Sequence, residues 1–226
     1  MSSRKIIVAL DIPDRDQTLD LARALAGEVA MVKLGLESFV AHGPGLVEEV
    51  RGLGVEVFLD LKLHDIPRTV AAAAAQASTL GVQLLTVHAT GGVEMIMAAS
   101  EAAGNTKILA VTVLTSMDQA AVEAVGFHDG VENSVVRLGT LAINAGADGL
   151  VCSARELRAL AGIGGLRVVP GVRPAGCDHG DQKRVATPSD AVSAGANYLV
   201  IGRPIVQAAD PVAAAAEINA SIAGTL

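Results

Sequence analysis

The sequence predicts an α/β protein whose strand–helix units close into a single-domain (β/α)8 barrel, a TIM barrel over residues 1–226. Three observations predict it. Apolar, β-rich runs alternate with helix-like stretches along the whole chain. The alternation repeats at intervals of roughly 20 to 35 residues, the size of a βα unit. Apolar residues make up 51% of the chain but aromatics only 2%, so the core is built from Val, Ile, Leu and Ala, which suit strands buried on both faces. Eight such units in 226 residues lie near the short end of the barrel range. The competing fold, a doubly wound open sheet, rarely needs eight near-equal units, and no GxGxxG follows the first strand.

The elements follow in order. A strand over 5–11 ends in Asp11, and a helix over 16–26 places Leu19, Ala22 and Leu25 on one face before Gly27 stops it. The second strand, 29–34, carries Lys33 near its end. Its helix covers 46–53, begins several residues earlier and closes at Gly54. The third strand, 55–62, runs into Pro67, well placed in a first helical turn, and an alanine-rich helix over 69–80 ends at Gly81. A fourth strand over 82–88 precedes a helix over 93–103. The fifth, 107–113, is followed by a longer segment, 114–132, and a helix over 133–145. The sixth strand is 148–153 with a helix over 154–161, and the seventh is 167–171 with a long polar loop over 172–187. Thr187-Pro188 is an N-cap and first-turn signal for a helix to Ala194. The eighth strand, 198–202, leads to a last helix over 210–223.

Bulk properties exclude several functions. A net charge of −7 argues against a nucleic-acid binder, which carries a basic footprint. The cysteines, Cys152 and Cys177, have no CxxC spacing, so no disulfide framework or zinc site is implied. The apolar run at the N-terminus stops at Asp11, too short for a signal peptide, and no apolar run approaches a membrane span. A reducing cytoplasm is the expected location.

Barrel active sites lie at the C-terminal strand ends. Those ends read Asp11, Lys33, Asp60 with Lys62, His88, Thr112 or Thr115, Ser153, Gly171 with Arg173, and Gly202 with Arg203. Two groupings stand out. Asp60 and Lys62 lie two apart in FLDLKLHDIPRTV (58–70), so they face one way while Leu61 and Leu63 face the other. With Lys33 they form a cluster in which a charged lysine suits proton donation or electrostatic catalysis better than Schiff-base chemistry. Asp60, His64, Asp65 and His88 could instead hold a divalent cation, but interleaved lysines compete for the same carboxylates. His64 has no assigned role, His88 is expected to satisfy a polar core position, and Cys152 is expected to be buried packing. The second grouping is an anion site. Gly171 with Arg173 after the seventh strand and Gly202-Arg203-Pro204 after the eighth occupy the positions where barrels bind phosphate. Gln182, in the long loop, could close over such a ligand.

The chain resembles the orotidine 5′-phosphate decarboxylase family, of the compact bacterial type. The resemblance rests on VALD (8–11), VKLG (32–35), FLDLKLHDIPRTV (58–70), TVHATGG (86–92), VTVLTS (111–116), PGVRPAG (170–176), DQKRVATP (181–188) and IGRPI (201–205). Arg68 stands where the family commonly has asparagine. The resemblance implies decarboxylation of orotidine 5′-phosphate to uridine 5′-phosphate with no cofactor and no metal, by a homodimer with shared active sites. Asp11 would bind the ribose, Lys33 the ribose and the charged array, and Asp60 would lie against the substrate carboxylate. Lys62 would protonate C6, and Thr115 would contact the pyrimidine. Arg173, Gln182, Gly202 and Arg203 would hold the phosphate, while Asp65 and Thr69 would reach into the neighbouring subunit's site. Two alternatives are a Mg²⁺-dependent sugar-phosphate enzyme of the same barrel superfamily and a non-catalytic barrel that binds a phosphorylated ligand.

Overall fold

Each strand is a short apolar run, and all but one return to the next through a helix on the outside, so the strands are all parallel and the sheet closes on itself. The computed structural model describes residues 4–174 and 186–223. Its strands are β1 (Ile6–Ala9), β2 (Met31–Gly35), β3 (Val57–Leu63), β4 (Leu84–His88), β5 (Lys107–Val111), β6 (Gly149–Val151), β7 (Leu166–Pro170) and β8 (Tyr198–Ile201). They pair in sequence order into a closed barrel, with β8 returning to β1.

Side-chain alternation divides the core in two. Ile7, Ala9, Met31, Phe58, Leu84, Leu109, Val168 and Val200 fill the barrel interior. The intervening residues, such as Ile6, Val8, Leu10, Leu34, Leu59 and Leu85, pack outward against the helices. The inward parity matters for function. One step beyond Ala9, Met31, Phe58 and Leu84 along the same face lie Asp11, Lys33, Asp60 and Thr86. The apolar interior therefore ends in a polar layer at the barrel mouth.

The helices are α1 (Arg15–Leu25), α2 (Leu36–Gly52), α3 (Pro67–Thr79), α4 (Gly92–Ala102), α5 (Gln119–Ala124), α6 (Gly130–Asn144), α7 (Pro188–Ser193), α8 (Arg203–Val206) and α9 (Pro211–Ala223). α2 starts at Leu36, ten residues before the periodic stretch predicted from 46, because it bends at Gly43 (φ 64°) followed by Pro44. A left-handed residue before a proline breaks the helical pattern, and glycine adopts that conformation without steric cost. α5, capped by Asp118 Oδ1 accepting from Ala121 N at 3.1 Å, occupies the segment in which sequence periodicity shows no element.

The helix expected over 154–161 is not formed. A 3₁₀ turn, Ala154–Glu156, replaces it, followed by irregular turns to Gly164. Ser153 and Glu156 form a capping box. The buried Arg167 guanidinium then donates to carbonyls of Leu160 (2.9 Å), Gly164 (2.9 Å), Gly165 (3.1 Å), Leu166 (3.2 Å) and Ile163. Only Leu160 among these acceptors lies within 154–161. Gly162, Gly164 and Gly165 follow directly and disfavour a helix, and Arg167 supplies donors to carbonyls that the turns leave open.

Candidate active site

The mouth of the barrel opens into a cavity of about 510 Å³. Its floor is apolar, from Ala9, Phe58, Val111, Val151 and Val200, the inward residues of five strands. One wall is charged: Asp11 from the end of β1, Lys33 from β2, and Asp60 and Lys62 from β3. The other wall carries Gly171 and Arg173 after β7 and Gly202 and Arg203 after β8. Leu114 and Thr115 contribute from the segment after β5.

The charged wall is a continuous chain of alternating sign. Lys33 Nζ lies 3.0 Å from Asp11 Oδ1 and 3.5 Å from Asp60 Oδ2. Lys62 Nζ donates to the same Asp60 Oδ2 at 2.8 Å. The order Asp11, Lys33, Asp60, Lys62 gives every charge an opposite neighbour. Asp60 is almost wholly buried, whereas 30% of the Lys62 side chain is exposed toward the cavity. Burial pushes the Asp60 carboxyl up, but Lys33, Lys62 and hydrogen bonds from Lys62 and Thr86 more than reverse this, holding it below the usual carboxylate range. Gly35 makes room for the array. A Cβ there would lie 2.8 Å from Lys33 Nζ and 3.0 Å from Asp11 Oδ1, so any side chain would displace the pair.

Leu61 and Leu63 pack against the outer core, as strand alternation predicts. The backbone between them is not an ordinary strand. Leu59 pairs with Leu85 and Leu63 with Val87, so four residues of β3 are matched by two of β4. Lys62 has φ 50°, the one non-glycine residue with positive φ among the described residues. For a lysine this left-handed conformation costs on the order of 1 kcal/mol or more and persists only where the surroundings enforce it. The Lys62 N–H, out of register with the β4 backbone, donates to Thr86 Oγ1 at 2.8 Å. Thr86 Oγ1 in turn donates to Asp60 Oδ1 at 2.9 Å.

On the opposite wall Arg173 is buried, donating from Nη1 to the Val172 carbonyl at 3.0 Å. Its backbone N–H donates to the Ala186 carbonyl at 3.0 Å, beside a parallel bridge between Val172 and Ala186. Gly202 is the N-cap of α8, a single turn with Pro204 in its first positions.

Of the residues singled out from sequence, Asp11, Lys33, Asp60, Lys62, Thr115, Arg173, Gly202 and Arg203 line the one cavity. Asp65 and Thr69 do not. Both are exposed at the start of α3, with Asp65 Oδ1 accepting from Ile66 N at 2.7 Å. Gln182 and Cys177 lie outside the described residues, and Cys152 is buried. Among the strand-end residues, His88, Thr112 and Ser153 do not contribute to the lining. The His88 and His64 rings lie 5.5 Å apart. Burial, then His64 and Lys62, push His88 below the usual histidine range, which Asp60 partly offsets. Thr86 was not singled out. The signal that marks it is its inward parity two residues after Leu84.

A sequence model described as the orotidine 5′-phosphate decarboxylase / HUMPS family matches residues 4–218. A protein from Anaeromyxobacter sp. (strain K) named orotidine 5′-phosphate decarboxylase is 54% identical over 224 residues, covering 97% of this chain and 99% of that one. One of the same name from Thermobifida fusca is 52% identical, covering 97% and 96%. The crystal structure of orotidine 5′-phosphate decarboxylase from Lactobacillus acidophilus superposes with a TM-score of 0.87 at 35% identity, covering 97% of this chain and 99% of that one.

Proposed function

Because the chain belongs to the orotidine 5′-phosphate decarboxylase / HUMPS family, we propose that it decarboxylates orotidine 5′-phosphate to uridine 5′-phosphate in pyrimidine biosynthesis, with Lys62 delivering the proton to C6. It is an enzyme of the carboxy-lyase class. The observation that carries the reading is Asp60 held between two lysines on one wall of a cavity whose other wall presents two arginines.

Loss of carbon dioxide from C6 leaves an electron pair in the plane of the ring, where the π system cannot delocalise it. Stabilisation must come from a positive charge already in place, and the Lys62 ammonium supplies it without reorganisation. As the C6–carboxyl bond breaks, that electron pair takes a proton from Lys62 Nζ. Solvent then restores the ammonium. Asp60 lies against the departing carboxylate, a like-charge contact relieved as carbon dioxide leaves. Asp11 and Lys33 hold the ribose, and Thr115 contacts the pyrimidine. Arg173, Gln182, Gly202 and Arg203 hold the 5′-phosphate, so that binding energy remote from C6 lowers the barrier there. In a homodimer, each chain's Asp65 and Thr69 complete the neighbouring chain's site. Their exposure outside their own cavity supports this arrangement.

A Mg²⁺-dependent sugar-phosphate enzyme on the same barrel would commit its carboxylates to the cation. Here the Asp60 Oδ2 that would ligate it faces Lys62 at 2.8 Å and Lys33 at 3.5 Å. The test follows the ultraviolet absorbance of orotidine 5′-phosphate on adding purified protein with EDTA and no added metal. Turnover undiminished by the chelator is expected. No turnover, or turnover that requires added Mg²⁺, would sink the proposal.

A further inference from the structure

We propose that Thr86 is a positioning residue for the decarboxylation: its hydroxyl holds at once the Asp60 carboxylate and the left-handed backbone of Lys62, setting both groups before substrate arrives. This rests on the reading of Lys62 and Asp60 given above.

A threonine hydroxyl has one proton to donate and lone pairs to accept with. Thr86 uses both toward the reacting strand. Its proton goes to Asp60 Oδ1 at 2.9 Å, and it accepts the Lys62 N–H at 2.8 Å. Thr86 is fully buried, so its hydroxyl cannot exchange these contacts for bulk water. The contact falls where β3 and β4 lose register, between the pairs Leu59–Leu85 and Leu63–Val87. A strand amide normally finds a neighbouring carbonyl. At Lys62 a side chain stands in for it, and there the chain adopts its positive φ. Thr86 also divides the labour at Asp60. With Oδ1 held by Thr86, Oδ2 is left to Lys62 and Lys33. Rotation of the carboxylate would spoil both lysine contacts, and misplacement of a catalytic group by even 1 Å is costly to rate. The charged groups facing Asp60 are Lys33 from β2 and Lys62 from its own strand, with Asp11 behind Lys33 and His88 further along β4.

The experiment compares wild type, T86V and T86S in kcat and KM for orotidine 5′-phosphate across pH. T86V keeps the volume but removes the hydroxyl. Its kcat should fall roughly 10- to 100-fold, with KM within about twofold, since the phosphate wall is untouched. The acid limb of its kcat/KM should move to higher pH, because a hydrogen bond favouring ionised Asp60 is gone. T86S should recover kcat to within a few-fold of wild type, with its acid limb unmoved. A role confined to packing would leave the limb in place and would not be rescued by serine. Should T86V not accumulate as folded protein, T86A carries the same comparison. A hydroxyl-less variant with wild-type kcat and acid limb, or a T86S variant as impaired as T86V, overturns the proposal. Wild-type turnover in the same experiment keeps the two readings apart. Its absence would overturn the assigned reaction and this inference with it, whereas a wild-type-like T86V would overturn the positioning role alone.

Discussion

Lys62 combines a strained backbone with a side chain aligned on its partner, and both facts trace to its neighbours. Alternation along the strand was enough to place Asp60 and Lys62 on one face and Leu61 and Leu63 on the other, and the packing of those leucines agrees. Alternation could not reveal the positive φ at Lys62 or the lost register beside it, because both depend on how β3 meets β4. Thr86 escaped notice for the same reason. Its inward parity two residues after Leu84 places it at the mouth, but its partners appear only once β3 lies beside β4. The electrostatics at this scale yield a prediction. Asp60 must be ionised to pair with the lysines, and its proton affinity in the folded protein is lowered, so its titration is centred below the ordinary carboxylate value, near pH 4. Activity should therefore show no acid limb from Asp60 between pH 7 and about 5. A carboxylate-type limb above pH 5 in kcat/KM, in protein still folded by circular dichroism, would contradict this assignment of the charges.

At the scale of elements, the passage from β3 into α3 turns one stretch of chain to two purposes. Asp60 and Lys62 face their own cavity, while Asp65 and Thr69, beyond the strand end, face outward from it. Mixing a K62A variant with a D65N variant tests whether those outward residues serve a neighbour. Hybrid dimers would contain one site with both residues intact, so activity should reappear, up to roughly a quarter of the wild-type sites under random exchange. Absence of recovery, with subunit exchange verified by mass, would argue against shared sites. Helix ends with local chemical markers were legible in the sequence: Pro67 begins α3, and Thr187 caps α7. The missing sixth helix was not. Its residues are compatible with a helix, and no marker within 154–161 shows that they form turns instead, which end at Gly162, Gly164 and Gly165 with Arg167 donating to the carbonyls there. α5 was missed because six residues carry too little periodicity to register.

Over the whole molecule, the barrel brings together residues from both ends of the sequence. Asp11 comes from the end of β1 and Arg203 from just after β8, and they share a cavity because those two strands are hydrogen-bonded neighbours. The order of strands and the concentration of charge at their C-terminal ends were readable from the sequence, since each repeat carries its own apolar run and its own polar ending. The division between a charged wall and an arginine wall followed from chain order alone. The distances that turn a charged rim into an ordered array did not, because they are set by closure of the sheet. Among the described residues no helix is long and apolar enough to cross a membrane. The proposed role of one ammonium, held by this architecture and protonating C6, separates chemistry from binding. The deciding measurement is turnover of orotidine 5′-phosphate by K62A beside wild type, with nucleotide binding to the variant followed by calorimetry. The expected result is a folded variant that binds nucleotide and loses more than about a thousandfold in kcat. Appreciable turnover by K62A would contradict it.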